Sequence, residues 1–245
     1  LSKFNLLFFS ILFDTPPKIN PTKAICALFI VLFPSYLTAQ SEFQSLIPSG
    51  WSILDSAQGD LNQDRQPDLA LIIEENNPNN IRKDSDDRKI NLNPRHLLVF
   101  FNNKHRYQLI ARNKNLPTAD DAESSCSLDP LAESNGIEIR KGLLTIEFSY
   151  FMACGGWEWP QHTYTFRYQK QKMQLIGFDY SSFHRSSGEQ SASSYNFSTL
   201  KVKRTTGGNQ FEGGQAKSTW SSFKQKQPLF LNDIRFDHFH TQFEY

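Results

Sequence analysis

Three times between residues 93 and 180 the chain writes one pattern: an apolar or aromatic run of strand length, a short polar break, then a second such run. NPRHLLVFFNN and YQLIARN stand either side of KHR, GIEIR and LLTIEFSYF flank Lys141 and Gly142, and HTYTFRY and MQLIGFDY flank QKQK. Runs of this length joined by short polar turns specify β-hairpins. In the third pair Tyr164, Phe166 and Tyr168 alternate with Thr165 and Arg167. That period of two places one face of a strand in a core and the other in water. No window of about twelve or more residues holds a 3.6 period. A single helical turn is expected at 118–124, where TADDAE offers a Thr cap and early acids. The polar stretches 76–94 and 181–194 read as exposed loops. SYNFSTLKVKRTT, KSTWSSFK and the aromatic tail read as three further strands. The expected fold is all-β, built of antiparallel hairpins, propeller-like or sandwich, with little helix. HLLVFFNNKHRYQLIARN and TYTFRYQKQKMQLIGFDY are alike enough to suggest a degenerate internal repeat.

The amino-terminal segment reads as an address rather than as structure. Lys23 precedes a short apolar run that is interrupted by Pro34 and closes on the small residues Thr38 and Ala39. This is the pattern of a secretory signal cut after Ala39. The run is shorter than the roughly 20 residues a membrane span needs. The expected organisation is an N-terminal extension and signal peptide at 1–39 and a single β-rich domain at 40–245, with no membrane span in the mature chain. The expected location is periplasmic or secreted. Of the 3 cysteines, Cys26 falls in the signal. Cys126 and Cys154 remain, an even pair in a chain bound for an oxidising compartment, and they are expected to form a disulfide. The net charge of +1, with both signs interspersed, marks no polyanion-binding surface by charge alone, and nucleic acid is not an expected partner.

Residues 59–73, GDLNQDRQPDLALII, concentrate the most chemistry. Asp60, Asn62, Asp64 and Asp68 occupy positions 1, 3, 5 and 9 of an acidic loop, with the backbone carbonyl of Gln66 at position 7. Calcium takes six to eight oxygens from alternating carboxylates, amides and carbonyls, and alternate residues of a tight loop point inward. A bound ion lets the apolar LALII strand begin without facing mutually repelling acids.

This stretch resembles the calcium loop and following strand of FG-GAP or VCBS repeats, whose usual form is GD-x-N-x-DG-x-x-D ahead of a hydrophobic strand. The resemblance implies calcium held by Asp60, Asn62, Asp64, Gln66 and Asp68, a loop joining two neighbouring strands, and an extracellular or periplasmic setting. One copy is evident, where a closed propeller needs several. The longer run of GWSILDSAQGDLNQD, NPRHLLVF, TYTFRY, LIGFDY and NFSTLKV also resembles uncharacterised secreted bacterial proteins with a single VCBS-like motif. The departure is at position 6, where Arg65 replaces the usual Gly. That position commonly needs a backbone conformation that Gly adopts most cheaply.

Two other clusters carry chemistry. ACGGWEWPQH sets Trp157 and Trp159 beside two glycines, and aromatic faces on a loop can stack on flat partners. DHFHTQ places His238 and His240 on one face if extended, a spacing at which two imidazoles can share a metal, but no third ligand stands nearby and an exposed polar strand or tail is the expected reading. No G-x-S-x-G, HExxH, phosphate-binding loop or dinucleotide fingerprint is present, so no catalytic residue is named. The function expected from these features is a non-enzymatic binding or structural module, stabilised by calcium. It would engage a protein partner at the cell envelope, as an inhibitor or immunity protein does. The alternative is an envelope hydrolase acting on glycan or peptide through carboxylates distant in sequence.

Overall fold

The computed structural model describes residues 43–236, apart from positions 105 and 125. The signal-peptide expectation at 1–39 and the His238 and His240 pair lie outside the described residues. All described residues belong to one compact unit, Leu37–Tyr245.

The fold is all-β, as the hairpin pattern requires. Four strands form one antiparallel sheet in the order β1 (Trp51–Gly59), β2 (Asp68–Glu75), β5 (Arg95–Asn103) and β6 (Arg106–Leu116). Two short strands, β3 (Ile81–Lys83) and β4 (Lys89–Asn91), pair in an excursion between β2 and β5. Seven strands form the large sheet: β7 (Ile137–Arg140), β8 (Leu143–Ser149), β9 (Glu158–Gln169), β10 (Lys172–His184), β11 (Glu189–Asn196), β12 (Lys201–Asn209) and β13 (Lys217–Ser222). Its spatial order follows the chain, so every connection is a hairpin between antiparallel neighbours. The three expected hairpins are β5–β6, β7–β8 and β9–β10.

Of the two closures left open by the sequence, the sheets adopt the sandwich. Ala70, Ile72, Leu97, Val99 and Ala111 from the small sheet share one core with Ile146, Phe148, Tyr164, Phe166 and Phe178 from the large one. Strand β2 is buried on both faces. Ala70 and Ile72 look into that shared core, while Leu69, Leu71 and Ile73 look the other way, into a second cluster closed by Phe43 and Ile47. An unbroken apolar run is what a strand covered on both sides requires.

Several expectations need correction. The stretch 118–124 is not helical; the Thr118 hydroxyl donates to the Asp120 carbonyl and the chain bends. Segment 76–94 is not a plain exposed loop. It holds β3, β4 and a ladder of asparagines in which Asn93 is buried and its Oδ1 accepts from the Asn77 N–H. Segment 181–194 continues β10 and begins β11 around a turn at 185–188. Its serines look loop-like by composition, but they lie on strands whose ladder bonds come from the backbone, which any side chain permits. SYNFSTLKVKRTT is two strands joined by a turn at 197–200, and the described part of the tail is a 3-10 turn, Leu231–Asp233, with Leu231, Ile234 and Phe236 buried in the shared core.

Candidate functional site

The acidic loop joins β1 to β2, neighbouring strands of the small sheet. Three residues anchor it. Gly59 passes so close to β7 that a Cβ there would stand 2.6 Å from Ile139 Cγ2, so this position admits no side chain. Leu61 is buried in the shared core and plugs the loop from below. Asp68 is fully buried; its Oδ2 accepts from the Leu61 N–H at 2.8 Å and its Oδ1 from the Asn102 N–H at 3.0 Å. Asn102 Nδ2 in turn donates to the Pro67 carbonyl at 3.2 Å.

Within the loop, Asp60 gathers the backbone. Its Oδ1 accepts from the N–H groups of Gln63 and Asp64, and its Oδ2 accepts from Arg65. Asn62 Oδ1 accepts from the Asp64 N–H, Asn62 Nδ2 donates to Asp64 Oδ2, and Asp64 Oδ1 accepts from the Gln66 N–H. Arg65 sits at φ +66° and Gln63 at φ +68°. Arg65 therefore holds the left-handed conformation that the position-6 Gly supplies in the resembled loops, at a cost of roughly 1–2 kcal/mol for a non-glycine residue.

The donors suit calcium in type, being hard oxygens in alternation. Their placement divides them. Among the described residues no three His, Cys, Asp or Glu side chains stand together as a metal group. Asp68 faces the protein interior and both its oxygens meet backbone N–H groups, so its work here is structural. Burial holds its carboxyl above the ordinary carboxylate range, with the Asn102 and Leu61 N–H groups pulling it back down. Of the expected donors, Asp60 and Asn62 are half-buried and Asp64 and Gln66 exposed.

The two tryptophans play different parts. Trp159 lies on β9, wedged between Phe151 and Phe183 at 5.0 and 5.6 Å, and its Nε1 donates to Ser149 Oγ at 2.7 Å. It is a packing residue with a satisfied polar tip. Trp157 is 56% exposed and lies nearly parallel to the His184 ring, 6.0 Å away. Its backbone carbonyl accepts from the Arg185 N–H, which ties the 151–157 loop to the β10–β11 turn.

Cys126 and Cys154 are paired, with Cα atoms 5.4 Å apart. The staple fastens the 151–157 loop to the segment ahead of β7. Around it the Ala153 N–H donates to the Cys126 carbonyl, the Leu128 N–H donates to the Phe151 carbonyl, and Ser127 bridges Met152. Gly156 packs against the Met152 side chain so closely that a Cβ would clash at 2.5 Å. Leu128 and Met152, both exposed, thus stand on the same stapled pair of segments as Trp157. The sequence reading missed Leu61, Asn102, Leu128 and Met152; only the FNN end of β5 and the Cys flanks hinted at them.

No family model, no curated protein and no solved structure matches the chain.

Proposed function

We propose that this chain is an extracytoplasmic binding module, and that its docking element is the disulfide-stapled loop presenting Trp157. One observation carries this: a large aromatic side chain, more than half exposed, held on a loop that a disulfide and cross-segment backbone bonds make rigid. Exposed apolar groups of this kind mark interaction sites, and tryptophan is over-represented among residues that dominate interface energies. Rigidity lowers the ordering cost on association. The partner class is a protein at the cell envelope. The disulfide and the amino-terminal signal pattern support a periplasmic or secreted setting.

The acidic loop belongs to the same proposal as a VCBS-type element that fixes the β1–β2 connection. Calcium there would be held by Asp60, Asn62, Asp64 and the Gln66 carbonyl, with Asp68 anchoring the loop's end, and would stiffen the turn rather than act on a substrate. A ligand that binds only the folded state stabilises it by about 2.7 kcal/mol at a hundred times its Kd. Calcium should therefore raise the melting temperature of the parent and leave Asp64→Ala unmoved; equal melts in calcium and EDTA would remove calcium from the proposal.

For the docking loop, a photo-crosslinking amino acid placed at 157 should yield a discrete protein adduct in envelope extract. The same residue placed at Leu109, an exposed apolar position on β6 of the small sheet, should not. Adducts of the same size and yield from positions 157 and 109 would overturn the assignment of Trp157.

A further inference from the structure

The outer face of the large sheet holds a second surface, centred on Trp220, whose far end at Trp159 packs on Phe151 of the stapled loop. Alternation along β11 and β12 sends Tyr195 and Val202 into the core. Ser194, Asn196, Lys201 and Lys203 then take the opposite face, where Trp220 and Ser222 of β13 join them through the pairs Lys203↔Trp220 and Lys201↔Ser222. With Thr199 and Ser221, these six residues line an open hollow of about 570 Å³. Trp220 is 66% exposed although it sits in a regular strand. The same face continues along the strands into a second hollow of about 390 Å³, lined by Gln161, Ser181, Gln190 and Thr205 with Trp159 at its far end. From Asn196 to Gln190 the track runs roughly 20 Å at about 3.3 Å per residue, the reach of an oligomer rather than of a single small molecule.

We infer that this face binds an acidic polysaccharide, one carrying carboxylates such as a polyuronate, with Trp220 as the stacking platform and Lys201 and Lys203 as the cationic partners. The lining chemistry selects the class. A sugar ring presents C–H groups on its faces and hydroxyls at its rim. An exposed indole accepts the face, and the Ser, Thr, Asn and Gln groups beside it exchange hydrogen bonds with the rim. The charge follows from the first hollow, where both ionisable lining residues are lysines and none is acidic. Asp179, across from Ser194 on β10, lies one strand beyond that lining. A nucleic-acid strand also stacks on tryptophan, but it places a phosphate at every nucleotide and calls for a groove of cations along its length. Here the lining beyond Lys201 and Lys203 is amide, hydroxyl and apolar, with no cation, and Asp179 flanks it.

The test is affinity electrophoresis and intrinsic tryptophan titration with an oligogalacturonate, set against a neutral malto-oligosaccharide and a single-stranded oligonucleotide. The parent should bind the oligogalacturonate saturably, and added salt should weaken the binding. Trp220→Ala and the double variant Lys201→Glu/Lys203→Glu should each weaken it by at least about tenfold. Trp157→Ala should bind as the parent does. Trp220, Lys201 and Lys203 are exposed or half-buried on the outer face and Trp157 is exposed on its loop, so thermal melts should match the parent; were Trp220→Ala to melt early, the lysine double variant alone would decide. Equal affinity for the neutral oligosaccharide, tighter binding of the oligonucleotide, the same loss in Trp157→Ala, or no saturation with oligogalacturonate would each overturn the inference.

Discussion

His96 shows how one side chain can make the whole fold sensitive to pH. It lies on β5, its ring 4.4 Å from the Trp51 ring, with Arg112 and Lys114 on the neighbouring strand. Burial first, and those two cations second, lower its pKa to about 4. An unfolded histidine titrates near 6.5. As pH falls through that region the unfolded chain binds the proton and the folded chain does not, so the neutral imidazole favours folding above about pH 6.5. That contribution is lost as pH falls towards 4 and is gone below it. The shift corresponds to at most about 3 kcal/mol, and partial solvent contact reduces it to roughly 1–2 kcal/mol. His96→Gln should therefore flatten the acid limb: urea midpoints of parent and variant should diverge by less at about pH 4.5 than at about pH 7.5. Parallel midpoint curves for the two proteins would show that His96 titrates alike folded and unfolded.

At the level of elements, the acidic loop is where sequence and structure meet most closely. The spacing of Asp60, Asn62, Asp64 and Asp68 announced a tight loop ahead of a buried strand, and the break from Gly at position 6 located its strained residue, Arg65 at φ +66°. The division of labour was not legible. Nothing in the string distinguishes an aspartate facing solvent from Asp68, which is buried against the N–H of Asn102, thirty-four residues away. The serine-rich 181–194 stretch was misread for a related reason: composition reports solvent contact, while strand pairing depends on partners, here β9 for its first half and β10 and β12 for its second, that composition does not reveal. Loop strain yields a direct expectation. Arg65→Gly removes a left-handed penalty of about 1–2 kcal/mol but adds unfolded-state entropy of about 0.5–1 kcal/mol. The net should be a gain of roughly 0.5 kcal/mol, or about 1–2 °C in Tm for a domain of this size. The same variant should respond to calcium more strongly than the parent, because its loop closes on an ion without strain. A lower Tm in Arg65→Gly would mean that the arginine side chain makes compensating contacts.

For the whole molecule, hairpins were readable because they are local, and the sandwich was not, because it depends on which faces two distant sheets bury together. The unbroken apolar run of β2 was the available hint, and it gave the strand's depth without its partners. Besides the apolar core, the Ile137 N–H of β7 donates to Asp55 Oδ2 of β1 at 2.9 Å, and an ion triad no motif announces ties the small sheet to the segment ahead of β7. Arg95, 3% exposed, donates through Nε to Glu74 Oε2 at 2.7 Å within the small sheet. Its two terminal nitrogens reach both oxygens of Asp129, at 2.6 and 2.7 Å, on the segment that leads to β7. Glu74 Oε1 also accepts from Asn91 Nδ2, and Asp129 Oδ1 accepts from the Leu131 N–H, so each carboxylate is held in place without the arginine. A planar, bidentate guanidinium suits this post, and a lysine cannot fork between the two acids. Removing the cation leaves two partly buried carboxylates facing each other, a loss of about 3–5 kcal/mol. Arg95→Ala should thus lower Tm by roughly 6–20 °C, and Arg95→Lys should recover only part of it. Replacing the pair together, as in Arg95→Met/Glu74→Leu, should restore more stability than Arg95→Met retains alone, because one orphaned carboxylate disappears with the cation. If the triad clamps the sheets, Arg95→Ala should also expose the segment around Asp129 to proteolysis below the main melt, while the β9–β12 core stays protected. A single cooperative transition with no early cleavage near Asp129 would show that the shared apolar core and the Asp55–Ile137 bond join the sheets without help from the triad.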